Sequence, residues 1–382
     1  MLTSPILLDY QSSTPCHDEV VEAMRPYWSD IFANPSSKSN ILGLQASAVL
    51  ESSRDKIAKL LCLRNKKIIF TSGATESNNL ALLGFARNYY QNKGKYGNII
   101  TLKTEHHAVL EPIRQLKKEG FTVTEITPGK DGLLLEEQFL KALKKDTFLV
   151  SIMLANNEIG VIQPLEMISS ICASKKIIFH TDAAQCLGYI PLEFSKGIAN
   201  MITISSHKIY GPKGIGLLII DKEISLNPIF LGGGQESGLR SGTIPIPLVI
   251  GFTKAIELGL INQASNFHQL SLHRNNLLKG LLENNSGISV NGSMNRRLPQ
   301  NLNLTISDVS GSLLHKKLKP KIICSSGSAC SNGQASHVLR AIGRDFRQAE
   351  SSIRLSLGLK TNSEEIQEAI SFISKIINSL RS

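Results

Sequence analysis

Aromatic residues are scarce in this chain, at 5% of 382 positions with a single tryptophan. The scarcity removes the stacking platforms that nucleic-acid binders use, although 42 basic against 31 acidic residues give a net charge of +11. Direct nucleic-acid binding is therefore not expected. Lys-Lys pairs at 66–67, 117–118, 144–145 and 175–176, and the stretch His315–Lys321, fit solvated helix faces; a docking surface for tRNA or an acidic partner is the sharper alternative. No apolar run reaches the roughly 18 residues that a membrane span needs. The opening residues, Met1–Asp9, lack the basic stretch and long apolar core of a signal peptide, so a cytoplasmic location is expected. Six cysteines (Cys16, Cys62, Cys172, Cys186, Cys324, Cys330) stand without Cys-x-x-Cys spacing, which argues against a zinc site or a disulfide framework. Most are expected to be small buried hydrophobes.

What the chain does have is alternation. Short apolar runs at Ile68–Phe70, Asn98–Leu102, Phe148–Leu154, Ile177–Phe179, Met201–Ile204 and Gly216–Ile220 are interleaved with helical patterns such as Asn79–Tyr90 and Ala108–Glu119. This predicts an α/β layer structure with a largely parallel sheet, whose ligands bind beyond the carboxyl ends of its strands. The length suits two domains: a large one over 16–255, and a smaller α+β one built from 1–15 and 256–382.

Polar motifs follow nearly every run. Lys208, in Ser205-Ser206-His207-Lys208, ends a buried strand and is placed to form an imine with an aldehyde cofactor. Asp182 ends another strand, where a carboxylate can pair with a pyridinium nitrogen; the two groups together point to pyridoxal 5'-phosphate. Thr71–Asn78 alone reads better as an ordinary capped turn, but beside Lys208 and Asp182 a phosphate cradle at a helix N-terminus becomes the better reading. Thr104-Glu105-His106-His107 offers one ring to stack on a pyridine and one to solvent, or simply two satisfied loop histidines. Asn156–Gly160 offers amides to cofactor or substrate. Cys330 differs from the other cysteines, lying in a small, polar run where a thiol can reach a substrate. Cys324 follows Ile322-Ile323 and is expected to pack inside.

Together, Thr71–Asn78, Thr104–His106, Asn156–Gly160, Asp182–Gln185, Ser205–Gly214, Arg240–Thr243 and Ser325–Cys330 resemble the cysteine desulfurases of NifS type, pyridoxal-phosphate enzymes of the class V aminotransferase group. The resemblance runs from Leu8 to Arg354. It implies the fold type I transferase architecture, with a mainly parallel seven-stranded sheet and a small domain carrying a cysteine loop at about 324–336. It implies that Lys208 binds the cofactor and removes the Cα proton, Asp182 meets the ring nitrogen, Gln185 the phenolic oxygen, and His106 stacks on the ring and assists proton transfers. Ala74, Thr75, Ser205 and His207 would hold the phosphate, with Thr243 from a neighbouring subunit. Arg354, Asn34 and Asn157 would hold the carboxylate of L-cysteine, Asn157 also touching the cofactor. Cys330 would take the sulfur as a persulfide and pass it to an acceptor, an iron–sulfur scaffold or a sulfur carrier, in cluster assembly or in tRNA or cofactor thiolation. No metal is implied.

Two positions depart from the family's usual pattern: Ser12-Ser13-Thr14 stands where Ala-Thr-Thr is common, and Ser237 where arginine is frequent. Housekeeping members also extend beyond Ser382 with an apolar tail that docks the scaffold, so that docking mode is not expected. The alternatives are a small-amino-acid aminotransferase, which has no use for Cys330, a selenocysteine lyase, and a non-catalytic platform, which needs none of these residues.

Overall fold

The computed structural model describes residues 5–192, 197–326 and 335–382. After a short strand, β1 (Ile6–Leu7), seven strands form one sheet: β2 (Lys66–Thr71), β3 (Asn98–Leu102), β4 (Thr122–Ile126), β5 (Thr147–Ser151), β6 (Ile178–Asp182), β7 (Met201–Ser205) and β8 (Gly216–Asp221). Their order is β2-β8-β7-β6-β5-β3-β4, and within it β8 runs antiparallel to both neighbours. All five residues of β3, β5 and β7 are buried, as expected of strands covered by helices on both faces.

Alternation along the strands divides the core in two. Phe70, Ile100, Leu102, Val150, Ile202, Ile204, Leu217 and Ile219 point to one apolar cluster, while Ile69, Ile99, Leu149, Met201, Leu218 and Ile220 point to the other. The period-2 geometry of the strand produces this split, and each large side chain so buried contributes about 1.5–3 kcal/mol.

The helix expected from Asn79 begins earlier. Gly73, at φ 148°, caps helix Ala74–Asn79, which continues through a π turn at Leu80–Gly84 into helix Phe85–Lys93. The expected strand at 148–154 is shorter, as β5 ends at Ser151 and the chain leaves the sheet there.

A second, antiparallel sheet follows from β9 (Ile288–Val290), β10 (Asn301–Ile306), β12 (Ser325–Ser326) and β13 (Ser352–Ser356), in the order β12-β13-β10-β9; β11 (Ile322–Ile323) pairs with β1 instead. Helix Ser363–Arg381 carries a capping box in which Asn362 and Glu365 bond each other's backbone, and it buries Ile366, Ile370, Ile373 and Ile377. The N-terminal stretch links the two sheets. Leu8 N–H donates to Ile323 O (2.8 Å) and Asp9 bridges to Ser356, whereas Thr14 N–H donates to His207 O (3.0 Å) and His17 N–H to Tyr210 O (2.9 Å). Among the described residues, no helix is long and apolar enough to cross a membrane.

Candidate active site

Parallel strands place their carboxyl ends along one edge of the sheet, and a cavity of about 1450 Å³ opens there, bounded on its far side by the second sheet. Strand β7 ends in a single 3-10 turn, Ser206–Lys208, which brings Lys208 to the cavity. Its Nζ donates to Gln11 O (2.7 Å) and Ser12 O (2.8 Å). Next to it, His207 Nδ1 lies 3.2 Å from Ser13 Oγ. Burial, then the charges of Lys208 and Lys213, take the His207 pKa down to about 4, so the ring is neutral at physiological pH.

The Ser205 hydroxyl lines the cavity, is 1% exposed and has no hydrogen-bond partner among the described residues. An unsatisfied buried hydroxyl is costly, and an anionic oxygen in the cavity would satisfy it. Across from it, the turn at Gly73 leaves the first amides of the following helix without intrahelical acceptors. Strand β8 can pass close beneath because its first residue is Gly216; a Cβ there would lie 2.7 Å from Gly73 Cα. Glu76 pins the turn from behind, accepting from Ser72 N–H (2.7 Å) and from Arg240 Nε (2.8 Å).

Asp182, at the end of β6, is 7% exposed. Its Oδ2 accepts from Asn78 Nδ2 (2.7 Å) and its Oδ1 from Ala184 N–H (2.9 Å). His106 caps helix His107–Glu119, its Nδ1 accepting from Ala108 N–H (3.0 Å), which leaves the neutral ring's hydrogen on Nε2. Burial lowers the His106 pKa, with Lys208 and two other histidines adding to the effect and Asp182 opposing it. His107 does not simply face solvent: its ring lies 4.7 Å from that of His337, whose Nε2 is 2.9 Å from Glu105 O. The Glu105 side chain is wholly buried and bonded to Met153 N–H (2.8 Å) through one oxygen. Burial above all, with the charge of Asp182, raises its pKa well above the usual carboxylate range.

Arg354 sits in β13 opposite Asn303 on one side and Ser325 on the other. Its Nη2 lies 2.7 Å from Asp9 Oδ1, Ser12 Oγ and Ser325 Oγ, and its Nη1 donates to Asn157 O (2.9 Å). Its Nε is buried without a partner among the described residues.

Of the residues singled out in the sequence, Lys208, Asp182, Gln185, Ala74, Thr75, His106, Asn157, Ser205, His207 and Arg354 all line this cavity. Gln185 Nε2 donates to Gln11 O (3.2 Å). Asn156 is turned inward, its Nδ2 on Thr104 O (2.7 Å), and shapes the loop instead. Asn34 and Thr243 are exposed and do not line the cavity. Cys330 lies outside the described residues, as do its neighbours in 327–334; Ser326 and Ala335, on either side, both line the cavity. Among the other cysteines, Cys172 and Cys186 are buried as expected, but Cys62 is exposed. Cys324 is half-buried at the cavity wall, where burial pushes its pKa up to about 12 and keeps it a thiol. Asp9, Gln11, Ser12, Asn78 and Glu105 were not foreseen as contributors. For Asp9 a signal existed, a charged residue directly after the apolar run Ile6–Leu8.

The donor set fits pyridoxal phosphate on structural grounds: an orphan hydroxyl and free helix amides for phosphate, a bonded carboxylate for a ring nitrogen, and a lysine between them. Residues 6–369 match the family model for class-V aminotransferases. The chain is 43% identical to the cysteine desulfurase IscS of Histophilus somni (strain 129Pt), over 99% of this chain and 94% of that one. It is 41% identical to a probable mitochondrial cysteine desulfurase of Dictyostelium discoideum, over 99% and 84%. Among solved structures, a NifS-like protein superposes with a TM-score of 0.91 at 34% identity, covering 99% of this chain and all of the other. A NifS-like protein from Rickettsia africae gives 0.88 at 30%, covering 98% and all of the other.

Proposed function

Because the chain belongs to the class-V aminotransferase family, and is a pyridoxal-phosphate-dependent cysteine desulfurase, we propose that Lys208 holds the cofactor and Cys330 receives the sulfur. When bound, the cofactor supplies an electron sink for the pair left on Cα. The observation that carries this assignment is the meeting of Lys208, Asp182, the orphan Ser205 hydroxyl and Arg354 in one cavity.

The residues divide the work by their chemistry. Ala74, Thr75, Ser205 and His207 bind the phosphate, with Thr243 of a second copy of the chain. Asp182, held by Asn78 and Ala184, keeps a proton on the ring nitrogen. His106 stacks on the ring with its hydrogen on Nε2, and Gln185 and Asn157 bond ring substituents. Arg354, with Asn34 and Asn157, grips the carboxylate of L-cysteine, for which a guanidinium is geometrically suited. Lys208 Nζ takes the Cα proton. The Cys330 thiolate then attacks the substrate sulfur; the S–S bond forms, the Cβ–S bond breaks, and protonation of the carbon yields alanine. The persulfide passes to an acceptor protein, an iron–sulfur scaffold or a sulfur carrier.

We read the working form as a cytoplasmic homodimer. Trp28, Phe32, Ile41 and Leu231 are large apolar side chains between 62% and 85% exposed, of the kind that a second copy covers.

Incubation of the purified protein with L-cysteine and a reductant is expected to release alanine and sulfide in equal amounts. Cys330→Ser is expected to bind the yellow cofactor and release neither. Full turnover by Cys330→Ser, or a requirement for a keto acid, would overturn the reading.

A further inference from the structure

Lys208 and Arg354 come from different sheets, yet both bind Ser12. The Ser12 carbonyl accepts from Lys208 Nζ at 2.8 Å, and its hydroxyl accepts from Arg354 Nη2 at 2.7 Å. One residue thus touches the group assigned to the amine end of an amino acid and the group assigned to its carboxylate. Alanine, common at this position in the family the chain resembles, would keep the carbonyl contact and lose the hydroxyl.

The surroundings of Arg354 indicate what that hydroxyl does. Nη2 has two N–H bonds and three oxygens at 2.7 Å, on Asp9, Ser12 and Ser325, so one acceptor is in excess. Ser325 is buried and donates to Asp9 at 2.7 Å, which fixes those two to each other. Ser12 is exposed and lines the cavity. Nη1 gives one N–H to Asn157 O, while Nε is buried with no partner among the described residues. Toward a guanidinium the Ser12 oxygen can only accept, so its hydrogen is left for something else. Ser325 Oγ, already donating to Asp9, lies 3.3 Å away, a long contact for two hydroxyls.

We propose that Ser12 is a substrate-binding residue, whose hydroxyl, oriented by Arg354, donates a hydrogen bond to the substrate carboxylate beside the guanidinium. The inference rests on the desulfurase assignment of the cavity. It makes the serine a third donor at the carboxylate end, one that a chain with alanine here lacks.

The test uses the cofactor-loaded protein as wild type, Ser12→Ala and Ser12→Thr. L-Alanine, which has the carboxylate but no sulfur, is titrated by the change in cofactor absorbance, and KM and kcat are measured for L-cysteine. Loss of a hydrogen bond to a charged group is expected to weaken L-alanine binding and raise KM about tenfold in Ser12→Ala, with the effect greater on KM than on kcat. Ser12→Thr is expected to recover most of the loss, at an unchanged melting temperature in both variants. Binding by Ser12→Ala as tight as by the wild type, or tighter, would overturn the inference alone. A wild type that binds L-alanine yet releases no sulfide from L-cysteine would instead refute the desulfurase reading.

Discussion

Asn78 donates from Nδ2 to Asp182 Oδ2 at 2.7 Å, tying helix Ala74–Asn79 to the carboxyl end of β6. On the proposed assignment, one helix would both offer its amides to the phosphate and set the carboxylate for the ring nitrogen. Asn78→Ala is expected to weaken cofactor binding about tenfold, since Asp182 keeps its charge but loses one donor. Asp182→Asn removes the charge itself and is expected to lower alanine formation by about a hundredfold or more. Cofactor dissociation followed by absorbance, with L-cysteine turnover, separates the two effects; equal turnover in wild type and Asp182→Asn would contradict the role given to the carboxylate.

Stability should depend on pH through buried histidines. His180 in β6 is fully buried between Ser151 Oγ (2.9 Å) and Thr203 Oγ1 (3.2 Å). Burial takes its pKa down to about 3, and that of His207 to about 4, from an ordinary value of 6.5. Between these values the unfolded chain binds more protons than the native one. The stabilisation is therefore complete above about pH 6.5 and declines as pH falls toward 3. His180→Gln keeps an amide for both hydroxyls and does not titrate. Its melting temperature should fall less steeply between pH 6.5 and 4 than that of the wild type; identical slopes would remove His180 from the explanation.

Gly216 tests the close approach of β8 to the Gly73 turn. A Cβ at 216 would lie 2.7 Å from Gly73 Cα and 2.8 Å from Ile204 O, so backbone must move to admit it. Gly216→Ala is expected to cost about 1–3 kcal/mol in urea unfolding and to weaken cofactor binding in parallel. Lower stability with unchanged cofactor affinity would mean that the turn relaxes without disturbing the cradle.

A buried carboxylate organises the long loop after β8. Glu236 receives Arg54 Nη1 (3.0 Å) and Nη2 (2.8 Å) as well as Phe70 N–H (2.8 Å), and its side chain is 2% exposed. Glu236→Ala leaves the arginine and an amide without their partner and is expected to cost roughly 2–3 kcal/mol, less than for a fully buried pair because Arg54 keeps 21% of its side chain in solvent. Glu236→Gln, which still offers an oxygen to Phe70 N–H, should lose less in the same unfolding measurement.

Much of the large sheet could be read in the chain, since strands covered on both faces must be continuously apolar. Strand β4, Thr122–Ile126, escaped because it lies at the sheet edge, where Thr122 and Glu125 are exposed and no apolar run forms. The strand-end residues of the site were legible for a related reason: a polar group directly after a buried run has few places to go except the sheet's edge. Asp9, after the apolar run Ile6–Leu8, carried the same signal, but Gln11 and Ser12 gave none for their roles. They reach the cavity because Ile6 and Leu7 pair with Ile322 and Ile323, a register separated by more than three hundred residues. Glu105 was hidden differently, since a glutamate beside His106 looks solvent-facing until the walls around it are known.

That register has a consequence for biosynthesis. Asp9 bridges to Ser356 and Ser12 bonds Arg354, so these early residues are completed by partners made more than three hundred residues later. The seven-stranded sheet, finished at β8, can assemble while translation continues; the contacts around Arg354 must wait until β13 has been made. A product truncated before β13 would retain Lys208, Asp182 and the Gly73 turn, yet lack Arg354, the residue to which the proposed function gives the substrate carboxylate.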